Sequence, residues 1–505
     1  MNDESSIEGN TVEINQDRDC QGQDRQPVGF SPVWTVISTA VVMMGIGLLV
    51  WSYDSLTGLE NAENPERALS HIASRSMDLE SMVSRASTWE QTLYRALNGK
   101  DDSATQLMAW YQELAGESPD PLVALYTGVL EAETGNLAAM TERLQTWNDR
   151  EEPYVFFKQL LDAAYGTGTL DREAWMLLQS RLAEEVPNNW FYRRLAEKLA
   201  LHVHVKEASL LASMQDSQES TRHDLFLRNR LAMLVEISAA LISVIALVSL
   251  LVLGYRKGSD LLRISHAALP PPWLGQDGFA VLMRGGALTF LLLTALGAVL
   301  GAYLSLVEST FDVKLMELVS ATVLYAPIPM LVYFYLLRPK GRSLSDVFGL
   351  RVHAKKWGML FLTVFSLFAG GLLGDVVISL GGDAFGKSTH WTEWFHDSLV
   401  WGGAGELMIL FFEVVVLAPV FEEFIFRGMV FGSLRRYVGW LPAALLSTII
   451  FSVVHGYGVV GFFAVAWSGF LWAWAYEKTG SLIPGILAHA MNNLVFFMNL
   501  LVVFR

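Results

Sequence analysis

Residues 417–427 read LAPVFEEFIFR and place two carboxylates and a guanidinium inside an apolar run that begins near Leu407. A charged side chain at the centre of a membrane helix costs roughly 3 kcal/mol even on lenient insertion scales. Such groups persist where they pair with one another or serve a function. This stretch therefore predicts a membrane helix with a functional site along it.

The composition is that of a chain embedded largely in lipid. Of the 505 residues, 52% are hydrophobic, and the mean hydropathy is +0.34. Because a spanning helix needs about 20 apolar residues, the apolar runs predict about nine spans. They cover 32–51, 231–255, 285–307, 317–337, 357–380, 400–429, 441–459, 460–477 and 482–504. The predicted fold class is all-α, a polytopic helical membrane protein.

Four regions follow from the order of polar and apolar residues. Residues 1–30 are polar, acidic and without periodicity, which predicts a disordered tail, and 31–51 are expected to form an uncleaved transmembrane anchor. Residues 52–226 have amphipathic periodicity and helix-ending turns, so we expect a soluble helical domain there. Its small and aromatic positions resemble tetratricopeptide repeats, although no constant period is found. Residues 227–505 are expected to form the membrane domain.

The distribution of charge argues against a nucleic-acid partner and predicts an orientation. The net charge is −15, and the acidic residues gather in the tail and in 52–226. The single cysteine, Cys20, lies in the tail, so neither an internal disulfide nor a cysteine metal site is expected. Basic residues fill the loops after the second, fourth and sixth spans, at Arg256, Lys257, Arg263, Arg338, Lys340, Arg342, Arg351, Lys355, Lys356, Arg435 and Arg436.

The positive-inside rule places these basic loops in the cytoplasm. It follows that the N-terminus is cytoplasmic and that 52–226 lies outside the cytoplasm. Three basic residues before the second span, Arg222, Arg228 and Arg230, favour the opposite orientation. The loop between Arg338 and Lys356 contains more basic residues than these three, so we follow its orientation.

Three polar motifs in the C-terminal third lie at compatible depths. They are Glu422-Glu423-x-x-x-Arg427, Phe451-x-x-x-His455 and His489-x-x-x-Asn493. At ~1.5 Å per residue, Glu422 and His455 both lie ~20 Å along their helices from one basic loop. An antiparallel pair of helices would bring these two side chains level. We predict that the three motifs share one pocket.

Helix geometry suggests different roles for the two adjacent glutamates. Consecutive residues are ~100° apart around the axis, so Glu422 and Glu423 are not expected to aim at one point. Glu423 stands four residues before Arg427, the favoured order for an ion pair, which leaves Glu422 for chemistry. A buried Glu with a neutral His can deprotonate a water, while a second His and an Asn amide can stabilise an oxyanion. The pattern predicts hydrolysis of an acyl bond.

Other polar residues in the spans have simpler interpretations. A lone His or Asn in a membrane helix more often joins helices than catalyses a reaction. Glu406 and Glu413 are expected to be structural groups with satisfied partners. The prediction of a site therefore depends on three motifs occurring together.

These motifs, in this order, resemble the CPBP family, the CAAX proteases and bacteriocin-processing enzymes also called the Abi family. The similarity extends to residues 480–493, GSLIPGILAHAMNN, and covers roughly 400–500. It implies an all-helical intramembrane endopeptidase that acts on a membrane-associated protein or peptide, as eukaryotic homologues act on prenylated CAAX termini. It also implies a set of site residues, with Glu422 and His455 activating water, His489 and Asn493 holding the oxyanion, and Glu423, Arg427 and Phe451 in support.

The resemblance leaves the catalytic type open, because family members are described both as metalloproteases and as glutamate-dependent enzymes. Glu422, His455 and His489 could hold Zn²⁺ with one open position. The chain has no His-Glu-x-x-His, and an Asn amide is a poor zinc ligand, so we assign no metal or cofactor. The expected partners are the lipid bilayer and the substrate, and the expected location is the bacterial inner membrane.

Three competing functions fit parts of the pattern. A rhomboid-like dyad of Ser468 and His489 lacks the Gly before the Ser and leaves the glutamates unexplained. A proton-coupled transporter also uses intramembrane Glu and His, but we detect no pair of related halves in this sequence. A third possibility is a catalytically inactive scaffold that binds partners through 52–226, and only an activity assay would distinguish it from an enzyme.

Overall fold

The computed structural model describes residues 29–55, 58–59, 62–98, 103–202, 208–257, 259–304, 316, 318–320, 322–323 and 325–505. Every regular element among these residues is helical, which confirms the predicted all-α class. Cys20 and nearly all of the predicted tail lie outside them. Contacts divide the chain into two units. The first runs to Ser55 and includes Ser238–Ile378 and Gly403–Val495, and the second contains Leu56–Ile237, Ser379–Gly402 and Phe496–Arg505.

Several helices among the described residues are long and apolar enough to cross a membrane. There are six, Arg222–Arg256, Gly275–Tyr303, Ala354–Ala384, Ala404–Val438, Val459–Thr479 and Ile483–Phe504, and two shorter apolar helices cover Pro32–Leu48 and Trp440–Val453. The remaining predicted span, 317–337, lies partly outside the described residues, which include helical turns at Pro327–Leu331 and Val332–Leu337. The chain is thus a polytopic integral membrane protein.

The second unit is built from short helices, several of which have polar N-caps. They cover Pro65–Val83, Thr88–Asn98, Ser103–Glu117, Pro121–Glu133, Leu137–Thr146, Tyr154–Tyr165, Arg172–Glu185 and Trp190–Leu201, and the long helix Ala208–Lys257 follows. Asn64 and Asn189 each accept the N–H three residues later, which satisfies a donor that the helix start leaves free. Their apolar faces pack together, with Tyr126 stacked on Phe191 at 4.0 Å between ring centroids.

Two segments distant in sequence complete the second unit, and the domain boundaries predicted from sequence do not include them. In the segment 379–402, Trp391 is fully buried. At the C-terminus, Nε2 of His71 lies 2.7 Å from the carbonyl oxygen of Phe504, and Trp394 stacks on the Phe504 ring at 5.1 Å. Burial lowers the pKa of His71, so the neutral ring donates its Nε2 proton to this carbonyl.

The first unit contains the remaining helices. They are Pro32–Ser55, Gly275–Leu304, Pro327–Leu331, Val332–Leu337, Trp357–Ala384, Ala404–Phe411, Phe412–Leu417, Ala418–Glu422, Glu423–Phe431, Gly432–Val438, Trp440–Val453, Val459–Thr479 and Ile483–Phe504, with a short turn at Leu344–Val347. The last turns of Trp357–Ala384 and Ile483–Phe504 belong to the second unit, as does the short turn Asp397–Val400. We call the continuous segment Ala404–Val438 the glutamate helix and Ile483–Phe504 the histidine helix.

Loops of the first unit hydrogen-bond to one another at one end of its helices. The N–H of Ile264 donates to the carbonyl of Thr479 at 3.0 Å, and the N–H of Leu482 donates to that of Phe348 at 3.1 Å. Gly349 has a φ of +64°, and a Cβ there would lie 2.0 Å from the carbonyl oxygen of Gly480, so only glycine fits. The loops around residues 264, 348 and 480 therefore lie on one side of the membrane.

Replacing Trp391 with alanine should destabilise the second unit by about 3–5 kcal/mol, because it empties a fully buried site. Thermal unfolding of the full-length protein, followed by near-UV circular dichroism, measures the loss. Trp89→Ala is the matched control, since the Trp89 side chain is 54% exposed and should contribute about 1 kcal/mol or less. Equal losses in the two variants would contradict the burial of Trp391.

Candidate active site

The glutamate helix changes its register on both sides of Pro419. Phe412–Leu417 and Glu423–Phe431 are π-helical, and Ala418–Glu422 between them is α-helical. Pro419 has no N–H, so the helix loses a hydrogen-bond donor one turn before Glu422. The π turns shift the directions of the following side chains relative to an ideal α-helix. Sequence periodicity alone does not predict them.

Glu423 and Arg427 form a buried ion pair at the start of the second π turn. Nη1 of Arg427 donates to Oε1 of Glu423 at 2.8 Å, and each side chain is 1% exposed. The structure thus contains the pair expected from their spacing. The Arg427 guanidinium also lies 4.1 Å from the ring centroid of Phe451 and 5.1 Å from that of Trp472. These cation–π contacts offset part of the cost of removing the cation from water.

The imidazole of His489 lies between the two glutamates. Its Nδ1 is 3.2 Å from Oε1 of Glu423, and its Nε2 is 3.8 Å from Oε2 of Glu422. The expectation that Glu422 and Glu423 do not address one point is wrong, because the two nitrogens of one ring each face one carboxylate. An ionised carboxylate only accepts hydrogen bonds, so Nδ1 carries a proton and Nε2 faces Glu422.

Aromatic rings and two glycines fix the His489 ring and the ion pair. Trp472 stacks on His489 with centroids 4.0 Å apart and planes 17° apart. A Cβ at Gly469 would lie 2.6 Å from Nη2 of Arg427, and one at Gly485 would lie 3.0 Å from Oε2 of Glu423. Sequence reasoning missed Trp472 and both glycines. The three-residue spacing of Gly469 and Trp472, which puts them on one helix face, is the signal that was available.

His455 lies just beyond the end of Trp440–Val453, not within a longer span 441–459 as predicted. Its Nδ1 is 2.7 Å from the carbonyl oxygen of Phe451, and the two rings are 4.6 Å apart. The carbonyl only accepts, so Nδ1 carries the proton and Nε2 is left for another partner. The Phe451 ring beside His455 also lies 6.1 Å from the His489 ring, measured between centroids. The structure therefore brings Glu422, His455 and His489 into one neighbourhood.

Asn493 contacts a different part of the glutamate helix. Its Nδ2 donates to the carbonyl oxygen of Val414 at 2.9 Å. His489, one turn earlier, contacts Glu423 instead. The prediction that His489 and Asn493 address one locus is thus not what the structure contains, because the glutamate helix offers each of them its own partner.

Glu406 and Ser468 make structural contacts away from the candidate site. Oε2 of Glu406 accepts the N–H of Gly403 at 3.0 Å, which caps the start of the glutamate helix. Ser468, the nucleophile of the rhomboid-like alternative, packs towards Gly371, whose Cβ would lie 3.8 Å from the Ser468 Oγ. No contact of Ser468 with His489 is found among the described residues, so nothing there supports that dyad.

The donor set does not fit a metal site as it is arranged. Across the part of the chain that the structure describes, no three His, Cys, Asp or Glu side chains are grouped so that they could hold an ion. Glu422, His455 and His489, the set named for Zn²⁺, are included in that statement. We therefore derive no step through a metal.

Comparison with known proteins concerns the same segment. Residues 404–495 match the sequence model of the family described as type II CAAX prenyl endopeptidase Rce1-like. Over 128 residues the chain is 31% identical to the Bacillus subtilis (strain 168) protein named "Putative membrane peptidase YdiL". That alignment covers 25% of this chain and 49% of the relative, so the chain spans about half the length of the curated relative it matches. No solved structure matches the chain. Residues 404–495, which carry Glu422, His455, His489 and Asn493, are therefore a domain of the Rce1-like CAAX prenyl endopeptidase family.

Proposed function

We propose that this protein is an intramembrane endopeptidase that hydrolyses a peptide bond of a membrane-associated protein or peptide. The observation that carries the proposal is the imidazole of His489 held between Glu422 and Glu423, inside the Rce1-like segment. One of these carboxylates is committed to an ion pair, and the other is not. Such an unequal pair is a common arrangement for acid–base chemistry.

Glu422 is the carboxylate proposed to activate water. Its side chain is 18% exposed, whereas that of Glu423 is 1% exposed and bonded to Arg427. A water beside Glu422 gives a proton to the carboxylate as its oxygen attacks the carbonyl carbon of the scissile peptide. The C–N bond then breaks, and Glu422 returns the proton to the leaving amine.

The two imidazoles are proposed to assist through their Nε2 atoms. Glu423 holds Nδ1–H of His489, and the carbonyl of Phe451 holds Nδ1–H of His455, so each ring keeps one orientation. In that tautomer Nε2 is an acceptor for the attacking water. It orients the water and takes no proton itself, because the transferred proton goes to Glu422 and from there to the leaving amine.

The proposed substrate is a protein or peptide held at the membrane, as the family description of CAAX prenyl endopeptidases suggests. Ile483 begins the histidine helix, and His489 is six residues further on, which corresponds to ~9 Å. Glu422 lies ~20 Å along its helix from the basic residue Arg435, so the proposed site lies within the depth of the membrane domain and not at the basic loops.

The proposed topology follows from counting crossings. Segments 56–237, 379–402 and 496–505 belong to one unit, so they lie on the same side of the membrane. Between the first two segments the described residues contain three long spans, and an even number is needed. We propose that the predicted span 317–337, of which the structure describes only part, is the fourth crossing. Between the last two segments, Trp440–Val453 must likewise cross, although it is short.

With this count the proposed topology has nine crossings, and the proposed position of the N-terminal tail is across the membrane from 56–237. It also agrees with the hydrogen bonds that join the basic loops of the first unit to one another. By the positive-inside rule these loops are cytoplasmic. We propose an inner-membrane protein with a cytoplasmic N-terminus and an extracytoplasmic helical domain.

Replacing Glu422 with glutamine, or His455 with alanine, should lower kcat by at least about a hundredfold, because the first change removes the group that moves the proton and the second removes an imidazole that orients the water. Cleavage of a panel of lipidated and unlipidated C-terminal peptides by the full-length protein in liposomes measures the effect. Glu406→Gln is the matched control and should retain activity within about threefold, since Glu406 caps a helix end.

Glu423→Gln provides the contrast, because it leaves the Arg427 guanidinium buried beside a neutral group. We expect a loss of about 3–5 kcal/mol in stability, seen as a lower melting temperature. Wild-type rates in the Glu422 or His455 variants would refute the proposed chemistry. A wild-type protein that cleaves no peptide in the panel would favour the inactive scaffold.

Chelation should leave the activity unchanged, because the proposed mechanism uses no metal. The liposome assay is repeated after incubation with EDTA and with phenanthroline, followed by back-titration with Zn²⁺. Loss of cleavage that Zn²⁺ restores would replace the metal-free mechanism with a zinc mechanism.

Cysteine labelling can test the topology, because Cys20 is the only cysteine in the chain. In intact cells a membrane-impermeant maleimide should label Ser388→Cys in a Cys20→Ser background, but should not label native Cys20. Cys20 should react only after the membrane is permeabilised. Labelling of both positions from outside would be incompatible with the odd number of crossings between them.

A further inference from the structure

The backbone carbonyl of Val414 is an acceptor that its own helix does not satisfy. Its α-helical partner would be the N–H of Ala418, which donates to the Glu413 carbonyl instead. Its partner in the π register would be residue 419, and Pro419 has no N–H. The combination of a π turn and a proline therefore leaves the Val414 carbonyl without its α-register and π-register donors.

Asn493 supplies that donor from another helix. Its Nδ2 lies 2.9 Å from the Val414 oxygen in a partly buried position. An unpaired backbone carbonyl away from water costs about as much free energy as a lost hydrogen bond. The contact with Asn493 therefore stabilises this turn. Pro419 itself is buried, which limits access of water to this turn.

The contact also joins the two helices that carry the proposed chemistry. Val414 is eight residues before Glu422 on the glutamate helix, and Asn493 is four residues after His489 on the histidine helix. Residues four apart lie on one helix face, so Asn493 and His489 face the same neighbour. One turn apart, they form two contacts with the glutamate helix, to Val414 and to Glu423.

We propose that Asn493 is a positioning residue that replaces the missing N–H of Pro419 and holds His489 in register with Glu422 and Glu423. Its amide acts on the backbone of the glutamate helix, whereas the motif predicts an amide that touches the oxyanion. The effect on rate rests on the proposed peptidase function. The effect on stability does not, because it depends only on the Val414 carbonyl.

The two roles for Asn493 differ in whether Pro419→Ala can compensate for its loss. Alanine at 419 restores an N–H that faces the Val414 carbonyl, so it can replace the Asn493 amide there. It cannot reach an oxyanion formed on a substrate beside Glu422. A cycle of Asn493→Ala, Pro419→Ala and the double variant therefore separates a positioning role from a direct catalytic role.

In the liposome peptidase assay, Asn493→Ala should lower kcat on the order of tenfold, with KM changed less than about twofold. Its melting temperature should fall by about 2–4 °C. Pro419→Ala alone should stay close to wild type in both measurements. The double variant should regain most of the lost rate and of the lost melting temperature. Asn492→Ala, the neighbouring amide, is the matched control and should behave like wild type.

A double variant as slow as Asn493→Ala would overturn the proposal, because it would place the amide on the substrate. An unchanged melting temperature in Asn493→Ala would overturn it as well. If Asn493→Ala fails to fold, Asn493→Leu keeps the branched shape of the side chain and removes the amide, and the same cycle applies. Absence of peptidase activity in the wild type would refute the proposed function, while the melting-temperature cycle would still decide the role of Asn493.

Discussion

The burial of Glu423 against Arg427 constrains the rest of the membrane core. Moving two charges out of water costs several kcal/mol for each ion, and their attraction repays this only with good geometry and further partners. The structure supplies these partners in the 2.8 Å bond between the two groups, the faces of Phe451 and Trp472, and Nδ1 of His489. Four separate helical segments therefore have to meet around one ion pair.

Close approach of those helices depends on residues with no chemistry of their own. Gly469 and Gly485 lie where any side chain would collide with the guanidinium or the carboxylate. With these glycines in place, Trp472 reaches the His489 ring and stacks on it. The orientation of the imidazole is thus a consequence of how the ion pair is packed. Its free nitrogen faces Glu422 because its other nitrogen is committed to Glu423.

The second unit, by contrast, is formed by segments from three separate parts of the chain. Within that unit, His71 and Trp394 contact Phe504. The association of 379–402 and 496–505 with the short helices depends on side-chain packing, for which hydropathy carries no signal.

The sequence by itself determined the class of the protein and singled out the residues proposed for its site. Apolar run length predicts membrane helices because the bilayer has a fixed thickness, and charges within such runs are rare enough to single out Glu422, Glu423 and Arg427. The i,i+4 spacing predicts the Glu423–Arg427 pair because neighbouring turns of a helix share a face. These rules are local, so they can be applied without knowing the fold.

Only the tertiary structure decided which partner each site residue has. The π turns around Pro419 change side-chain directions by amounts that ideal helix periodicity does not contain, so His489 contacts both glutamates. They also free the Val414 carbonyl, and Asn493 bonds to it instead of joining His489 at one locus. Both outcomes depend on distances between helices far apart in the chain, which packing sets and which residue spacing does not encode.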